Sequence, residues 1–282
     1  VTAVIPAYHA AAFVGDAIAS LRAQSLPAAE IIVVDDGSTD ATAAVAAEAG
    51  ARVIRQANAG PAAARNAGIR AATTEWIALL DADDIARPER LASQQRHLDD
   101  PQVAVVFAGH HVEGKLPPTP PPTIDFAVLW ARNWIPTSTV LLRRAAWEAV
   151  GGFDEERALI GVEDYNLWVR LAHAGWAFAR EDQILVDYRP TPASLTAQTL
   201  RFANAELTNI ARLATRLELS PQMVRSKEHA IYLEYGFELF HARELVAARR
   251  FLREAANRGP IGSAGHLRVL ASYLPLAPRS AT

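Results

Sequence analysis

Ile31-Ile32-Val33-Val34 is an unbroken apolar, β-branched run that ends abruptly in Asp35-Asp36-Gly37-Ser38-Thr39-Asp40. A strand of that composition is buried on both faces, so its sheet needs helices on both sides. The chain supplies them by alternation. Thr2-Ala3-Val4-Ile5 reads as a first strand closed by Pro6, and residues 11–24 as a helix with Val14 and Leu21 on one side. Ala41 to Ala49 is helical and stopped by Gly50. Arg52 to Arg55 is a short strand, and Gly60-Pro61 opens a helix running through Arg65 toward Arg70. Trp76-Ile77-Ala78-Leu79-Leu80 is a fourth strand and Val103 to Phe107 a fifth. This order predicts an α/β fold with a Rossmann-like, doubly wound, mostly parallel sheet.

The pattern then changes. Prolines 117, 118, 120, 121 and 122 make an extended loop that cannot join a sheet interior, and His110-His111 before it reads as loop. Ser138 to Leu142 is predicted as a strand, Arg143 to Val150 as a short helix and Gly151-Gly152-Phe153-Asp154 as a turn. Asp164 to Ala174 is an amphipathic helix, and Trp176–Arg180 and Ile184–Tyr188 are two strands. From about Ala197 the strand signal disappears, with Ser220-Pro221 a helix start and Gly259-Pro260 a stop. The expected division is therefore an α/β domain over 1–196 and a helical appendage over 197–282.

Composition excludes some classes. There is no cysteine, which removes disulfides and thiolate metal sites and is compatible with a reducing compartment. No apolar run approaches the ~20 residues of a membrane span, and no signal peptide precedes the first strand, so a cytoplasmic location is expected. Residues 1–200 hold 16 basic and 24 acidic side chains, whereas 201–282 hold 12 and 7. The acidic part argues against nucleic acid as a partner. The basic tail suits a solvated helical face or a peripheral contact with anionic lipid at the inner face of a membrane.

Chemistry concentrates where Trp76 to Leu80 ends in Asp81-Ala82-Asp83-Asp84. Ligands of open parallel sheets gather beyond the carboxyl ends of the strands. Carboxylates there can hold a hard divalent cation with positions left for phosphates. Asp84, nearest the helical stretch opening at Arg87, is read as a helix-terminal residue. Asp36 on its own would be an ordinary turn residue, and Arg65 a solvated one.

Taken in order, these motifs resemble the family 2 glycosyltransferases with the GT-A fold. The resemblance covers most of residues 1–192. It runs through Val4-Ile5-Pro6-Ala7-Tyr8, Val33-Val34-Asp35-Asp36-Gly37-Ser38, Gly60-Pro61-Ala62-Ala63-Ala64-Arg65-Asn66, Asp81-Ala82-Asp83-Asp84, Pro88-Glu89-Arg90-Leu91, Gly151-Gly152-Phe153-Asp154 and Glu163-Asp164. The resemblance implies an inverting, metal-dependent transfer from a nucleotide-sugar, UDP-linked, to an acceptor hydroxyl in bacterial surface-glycan synthesis. The acceptor would be a carbohydrate or lipid-linked glycan. By position, Asp36 would accept a hydrogen bond from the uracil ring, with Pro6, Ala7 and Tyr8 lining the nucleotide pocket. Arg65 would lie near the diphosphate. Asp83 would bind Mn2+ or Mg2+, Asp81 would face the ribose or a metal-bound water, and Ala82 would lie between them. Asp164 would be the catalytic base and Glu163 its neighbour on the acceptor side. Trp134 is an acceptor-side candidate for stacking on a sugar, whereas Trp147, Trp168 and Trp176 read as core.

Three positions depart from the family pattern: His9 for Asn, Asn166 for Asp, and Thr191 where many members carry a His near the metal. A non-catalytic sugar-nucleotide-binding or scaffold subunit is the alternative that His9 and Thr191 leave open. A sugar nucleotidyltransferase is disfavoured, because Pro6-Ala7-Tyr8-His9 stands where those enzymes carry a glycine-rich loop with arginine.

Overall fold

A computed structural model describes residues 1–114, 118–189 and 199–273 of the chain. Two compact units divide it, Val1–Ser194 and Leu195–Thr282. The expected boundary at 196/197 and Thr191 lie outside the described residues.

The first unit is built on one eight-stranded sheet. Its first four-strand half is parallel. β1 (Thr2–Ala7) lies between β2 (Glu30–Asp35) and β4 (Trp76–Leu79), and β3 (Arg52–Arg55) lies outside β2. The crossovers are α1 (Val14–Arg22), α2 (Thr42–Glu48) and α3 (Pro61–Ala71). Val4, Ile5, Val33, Val34, Ile77 and Leu79 are fully buried, as both-face coverage requires. Each such side chain contributes about 1.5–3 kcal/mol of burial free energy.

β1 does not stop at Pro6 as expected; Pro6 pairs with Val34 and Ala7 with Asp35. The reason is geometric. Val4 accepts from Leu80 N–H, so Val4 and, two residues on, Pro6 turn toward β4. Pairing with β4 has ended at Val4, so the amide that Pro6 lacks has no acceptor to miss. Helix α3 approaches this half closely. A Cβ on Gly68 would fall 2.5 Å from Val4 Cγ1, so glycine lets the helix sit against β1 and β2.

The other half of the sheet is mixed. β7 (Leu141–Arg143) runs antiparallel to both β4 and β6 (Val103–Val112). β6 is parallel to β8 (Ala177–Tyr188), and β5 (Ile85–Ala86) pairs antiparallel with β8 at the edge. The two strands expected over 176–188 are one, with the register skipping two residues between Ala108/Glu181 and Gly109/Ile184. That irregularity is a bulge, which the sequence shows only as a polar interruption. His110 and His111 are strand residues rather than loop, because β6 stays paired to Val112. Ser138 and Thr139 belong to a 3₁₀ turn at Thr137–Thr139, not to the strand. The remaining elements are α4 (Arg90–Gln95), α5 (Phe126–Ala131), α6 (Arg144–Ala149) and α7 (Glu163–His173). Trp147 and Trp168 are buried as expected, while Trp176 is only half-buried.

The second unit shows four helices among the described residues: α8 (Thr199–Arg216), α9 (Pro221–His241), α10 (Leu245–Arg258) and α11 (Gly262–Ala271). Ser220 caps α9 by accepting from Met223 N–H, with Pro221 at the first helical position. Ile210, Leu213, Ile231, Leu239, Phe251 and Leu252 form its interior. Glu206 anchors α8 to α9 by accepting from Lys227 at 3.2 Å and from the Tyr235 hydroxyl at 2.8 Å. No helix among the described residues is long and apolar enough to cross a membrane.

Candidate active site

The end of β2 turns through Gly37, whose φ of 81° is left-handed and whose absent Cβ would meet Asn58 N at 2.8 Å. That close approach brings the loop before α3 over Asp36. The Asp36 carboxylate is buried and accepts three hydrogen bonds, from Gln56 Nε2 at 2.7 Å, Ala59 N at 2.9 Å and Gly60 N at 2.8 Å. It therefore ties the end of β2 to the start of α3. Asp35 in turn accepts from Ser38 N and Arg55 Nε. Beyond β1, Tyr8 is 52% exposed and stacks on the His9 ring at 4.1 Å. His9 has φ 50°, a conformation that Asn and His tolerate better than most residues, so the departure from Asn keeps the backbone shape. Its N–H donates to Ser38 Oγ at 2.9 Å, joining the ends of β1 and β2.

Arg65, one turn into α3, is buried and bridges two acids. Nη1 donates to Glu163 Oε1 at 2.6 Å and Nη2 to Asp81 Oδ1 at 2.7 Å. Burial works against its charge, but Asp81 and then Glu163 outweigh it and hold the guanidinium pKa above the usual value. Glu163 is also buried, and its second oxygen accepts from Gly161 N at 2.7 Å. Both its oxygens are thus engaged inside the protein. Helix α3, the end of β4 and the start of α7 therefore meet at one guanidinium.

The acidic turn after β4 divides its labour. Asp81 N–H donates to Ser138 Oγ at 3.0 Å, and its carboxylate is about a third exposed. The Asp83 carboxylate bonds only its own backbone among the described residues, and burial followed by Asp81 pushes its pKa up. Asp84 does not cap a helix as expected. It is buried, accepts from Ser138 Oγ and Arg189 N, and is pushed up to about 7 by burial and the neighbouring Asp81. Behind it lies Arg90, fully buried among the carbonyls of Leu79 and Val140 and pushed down to about 9 by burial, against the pull of Asp84. Arg189, just past β8, donates from Nε to the Asp83 carbonyl and from Nη1 to Asp16.

Asp164 is in the first turn of α7, whose N-cap is Val162, so it is not the capping residue. Its Oδ2 accepts from Thr137 Oγ1 at 2.6 Å, and Asn133 Nδ2 stands 3.5 Å away. Burial first, and then Glu163, push its pKa up to about 6. Trp134 is half-buried beside Asn133, with the Arg132 guanidinium 5.3 Å from its ring centre.

Asp81, Arg65, Glu163 and, next in the chain, Asp164 thus form one connected cluster, with Asp36 at the head of the helix that carries Arg65. Thr137, Ser138, Arg90 and Arg189 were not singled out by sequence. Only Arg90 carried a signal, as part of Pro88-Glu89-Arg90-Leu91; a lone Thr-Ser pair and an arginine after a strand carry none.

Known proteins resemble the chain in the same region. The succinoglycan biosynthesis protein ExoO of Rhizobium meliloti (strain 1021) is 48% identical over 95 residues, which cover 32% of this chain and 27% of that protein. The first curated relatives are matched over only 27–42% of their own length. Among solved structures, S. aureus TarS 1-349 in complex with UDP-GlcNAc aligns with a TM-score of 0.67 at 16% identity, over 96% of this chain and 88% of that one. The mannosyltransferase PcManGT from Pyrobaculum calidifontis, in complex with GDP-Man and Mn2+, aligns with a TM-score of 0.66 at 21% identity, over 96% and 79%. These likenesses establish the fold as the GT-A fold with added C-terminal helices. The model of the family described as Glycosyl transferase family 2 matches residues 2–154, more than half of the chain, and the protein belongs to that family.

Proposed function

We propose that the protein is an inverting glycosyltransferase that moves a hexosyl or N-acetylhexosaminyl group from a UDP-sugar to an acceptor hydroxyl, in surface-glycan synthesis. The observation that carries this reading is the bonded cluster joining Asp81 of the acidic turn, through Arg65 and Glu163, to Asp164. The donor assignment draws on the UDP-GlcNAc complex of TarS, and the biological role on the succinoglycan protein ExoO. The α/β unit would carry the reaction, with the helical unit as an appendage.

Each residue has a role that its surroundings suit. Asp36 uses three of its roughly four acceptor positions on the loop, which leaves one for a ring N–H of the base. Tyr8 offers an exposed aromatic face beside it, with Pro6 and Ala7 at the end of the same strand. Arg65 stays charged and fixes Asp81 toward the phosphates rather than contacting them directly, since both of its terminal nitrogens already hold carboxylates. Glu163 keeps Arg65 in place, and its role is support of the site more than contact with the acceptor. Trp134 supplies a half-buried ring on the acceptor side.

The acidic turn fits a divalent cation. The Asp83 carboxylate accepts no hydrogen bond from another described residue, burial and Asp81 press against its charge with Arg189 as the smaller counterweight, and carboxylate oxygens suit Mn2+ or Mg2+. No group of three or more His, Cys, Asp or Glu gathers to hold a metal ion among the described residues. Asp83, with Asp81 beside it, would thus hold the ion with few protein ligands, leaving positions for phosphates. The bound cation would neutralise charge building on the leaving diphosphate.

Asp164 does the work on the acceptor. A pKa of about 6 leaves it ionised at neutral pH yet basic enough to take the proton of a hydroxyl. Attack by that hydroxyl opposite the leaving diphosphate inverts the anomeric carbon. The experiment is incubation with a panel of UDP-sugars, Mn2+ and glycan acceptors, reading UDP release and product mass. Transfer from at least one donor is expected. UDP binding without turnover would favour the scaffold reading instead.

A further inference from the structure

Asp164 stands in the first turn of α7 without serving as its cap; Tyr165 N–H within the helix donates to its Oδ1 at 2.6 Å, which leaves Oδ2 to be set by partners outside the helix. Among the described residues, the one short hydrogen bond from outside the helix comes from Thr137 Oγ1, at 2.6 Å to Oδ2. The next residue, Ser138, accepts from Asp81 N at 3.0 Å and donates to Asp84. Consecutive residues of one 3₁₀ turn therefore hold the acid of the acceptor side and the acidic turn of the donor side. Their Cα atoms are separated by about 3.8 Å, the fixed spacing across a trans peptide. The turn itself is buried and pinned from behind. Thr139 O accepts from Gln94 Nε2 at 2.8 Å, and Val140 O accepts from Arg90 Nη2 at 3.0 Å.

We propose that the Thr137-Ser138 step is the positioning element of the transfer reaction: Thr137 orients the Asp164 carboxylate while Ser138 sets the acidic turn at a fixed separation from it. The inference rests on the reading of Asp164 as base. A hydroxyl that donates to a carboxylate favours its ionised form. Thr137 thereby opposes the burial and the Glu163 charge that push the Asp164 pKa up, and Arg65 from α3 acts in the same sense. The segment after α5 presents uncharged Asn133 to the same oxygen.

The test is titration of the Asp164 carboxyl by 13C NMR in the full chain labelled at aspartate, with Asp164→Asn identifying the signal. Thr137→Val should move the midpoint upward by about one unit, and Thr137→Ser should restore it. In the transfer assay, Thr137→Val should move the acidic limb of the pH profile upward in parallel and lower kcat by about tenfold, leaving the KM for the donor unchanged. Ser138→Ala should weaken UDP binding while leaving the Asp164 midpoint in place. An unmoved midpoint in Thr137→Val, or in Thr137→Ala should the valine variant not fold, overturns the proposal. Transfer at the wild-type rate by Asp164→Asn would instead remove the base assignment, even with the Thr137 shift intact.

Discussion

Replacing Arg65 by Met removes the cation on which Asp81 and Glu163 converge, and its effect on stability follows from the burial of each partner. The Asp81 side chain is 34% exposed, so water takes over much of its share and that bond contributes little. Glu163 is 7% exposed and keeps only the Gly161 N–H. Stripping one partner from a buried pair destabilises by about 3–5 kcal/mol, and the remaining amide bond places Arg65→Met near the lower end, at about 3 kcal/mol. The assay is urea unfolding followed by tryptophan fluorescence. All six tryptophans lie between Trp76 and Trp176, so the signal reports on the α/β unit alone. Glu163→Gln in the Arg65→Met background removes the stranded charge and retains an acceptor for Gly161. The double variant should recover a large part of the loss, with a coupling of at least about 1.5 kcal/mol. A loss below about 1 kcal/mol in Arg65→Met, or additive effects in the double variant, would refute the reasoning that a buried Glu163 depends on this cation.

Other expectations are independent of that pair. Asp164→Asn should lower transfer by about 10²–10⁴ at pH 7.5, and wild-type activity should rise as pH increases through about 6, where the carboxyl ionises. Because the folded pKa of Asp84 is raised to about 7, the native state holds a proton that the unfolded chain releases near 4. Stability should therefore fall as pH rises between about 4 and 7, and Asp84→Asn should flatten that slope in urea melts at stepped pH. Gly68→Ala would drive a methyl against Val4 and should destabilise by about 1–3 kcal/mol, read by thermal melting. Asp83→Asn should abolish the Mn2+-dependent part of UDP affinity in calorimetry while leaving the metal-free part unchanged.

The parallel half of the sheet was legible because its strands carry their own signature: apolar, β-branched runs buried on two faces and closed by acids or turn residues. The second half was less so. β8 reads as two strands because a bulge puts Asp182 and Gln183 into its middle, and β5 is two residues long, too short for any period. The acids of the site were visible as motif residues, yet their division of labour was not. Whether Asp84 faces a helix end or a buried Ser138 depends on which segment crosses beneath it, and residue 138 lies 54 positions away. Glu163 looked like an acceptor-side residue beside Asp164. Only the fold reveals that neighbours on α7 point to different tasks, one toward Arg65 and one toward Thr137. Thr137, Ser138 and Arg189 act through one to three hydrogen bonds each to segments distant in the chain, a kind of role that leaves no spacing or composition to find.

Asp164 serves the chemical step and not donor binding, so the two separate at this residue. UDP affinity and UDP-sugar turnover, measured side by side in the presence of Mn2+ for the wild type and Asp164→Asn, test it. The expected result is unchanged UDP affinity with turnover lost in the variant. Equal turnover in both proteins, or no release by the wild type from any UDP-sugar with acceptor supplied, would contradict it.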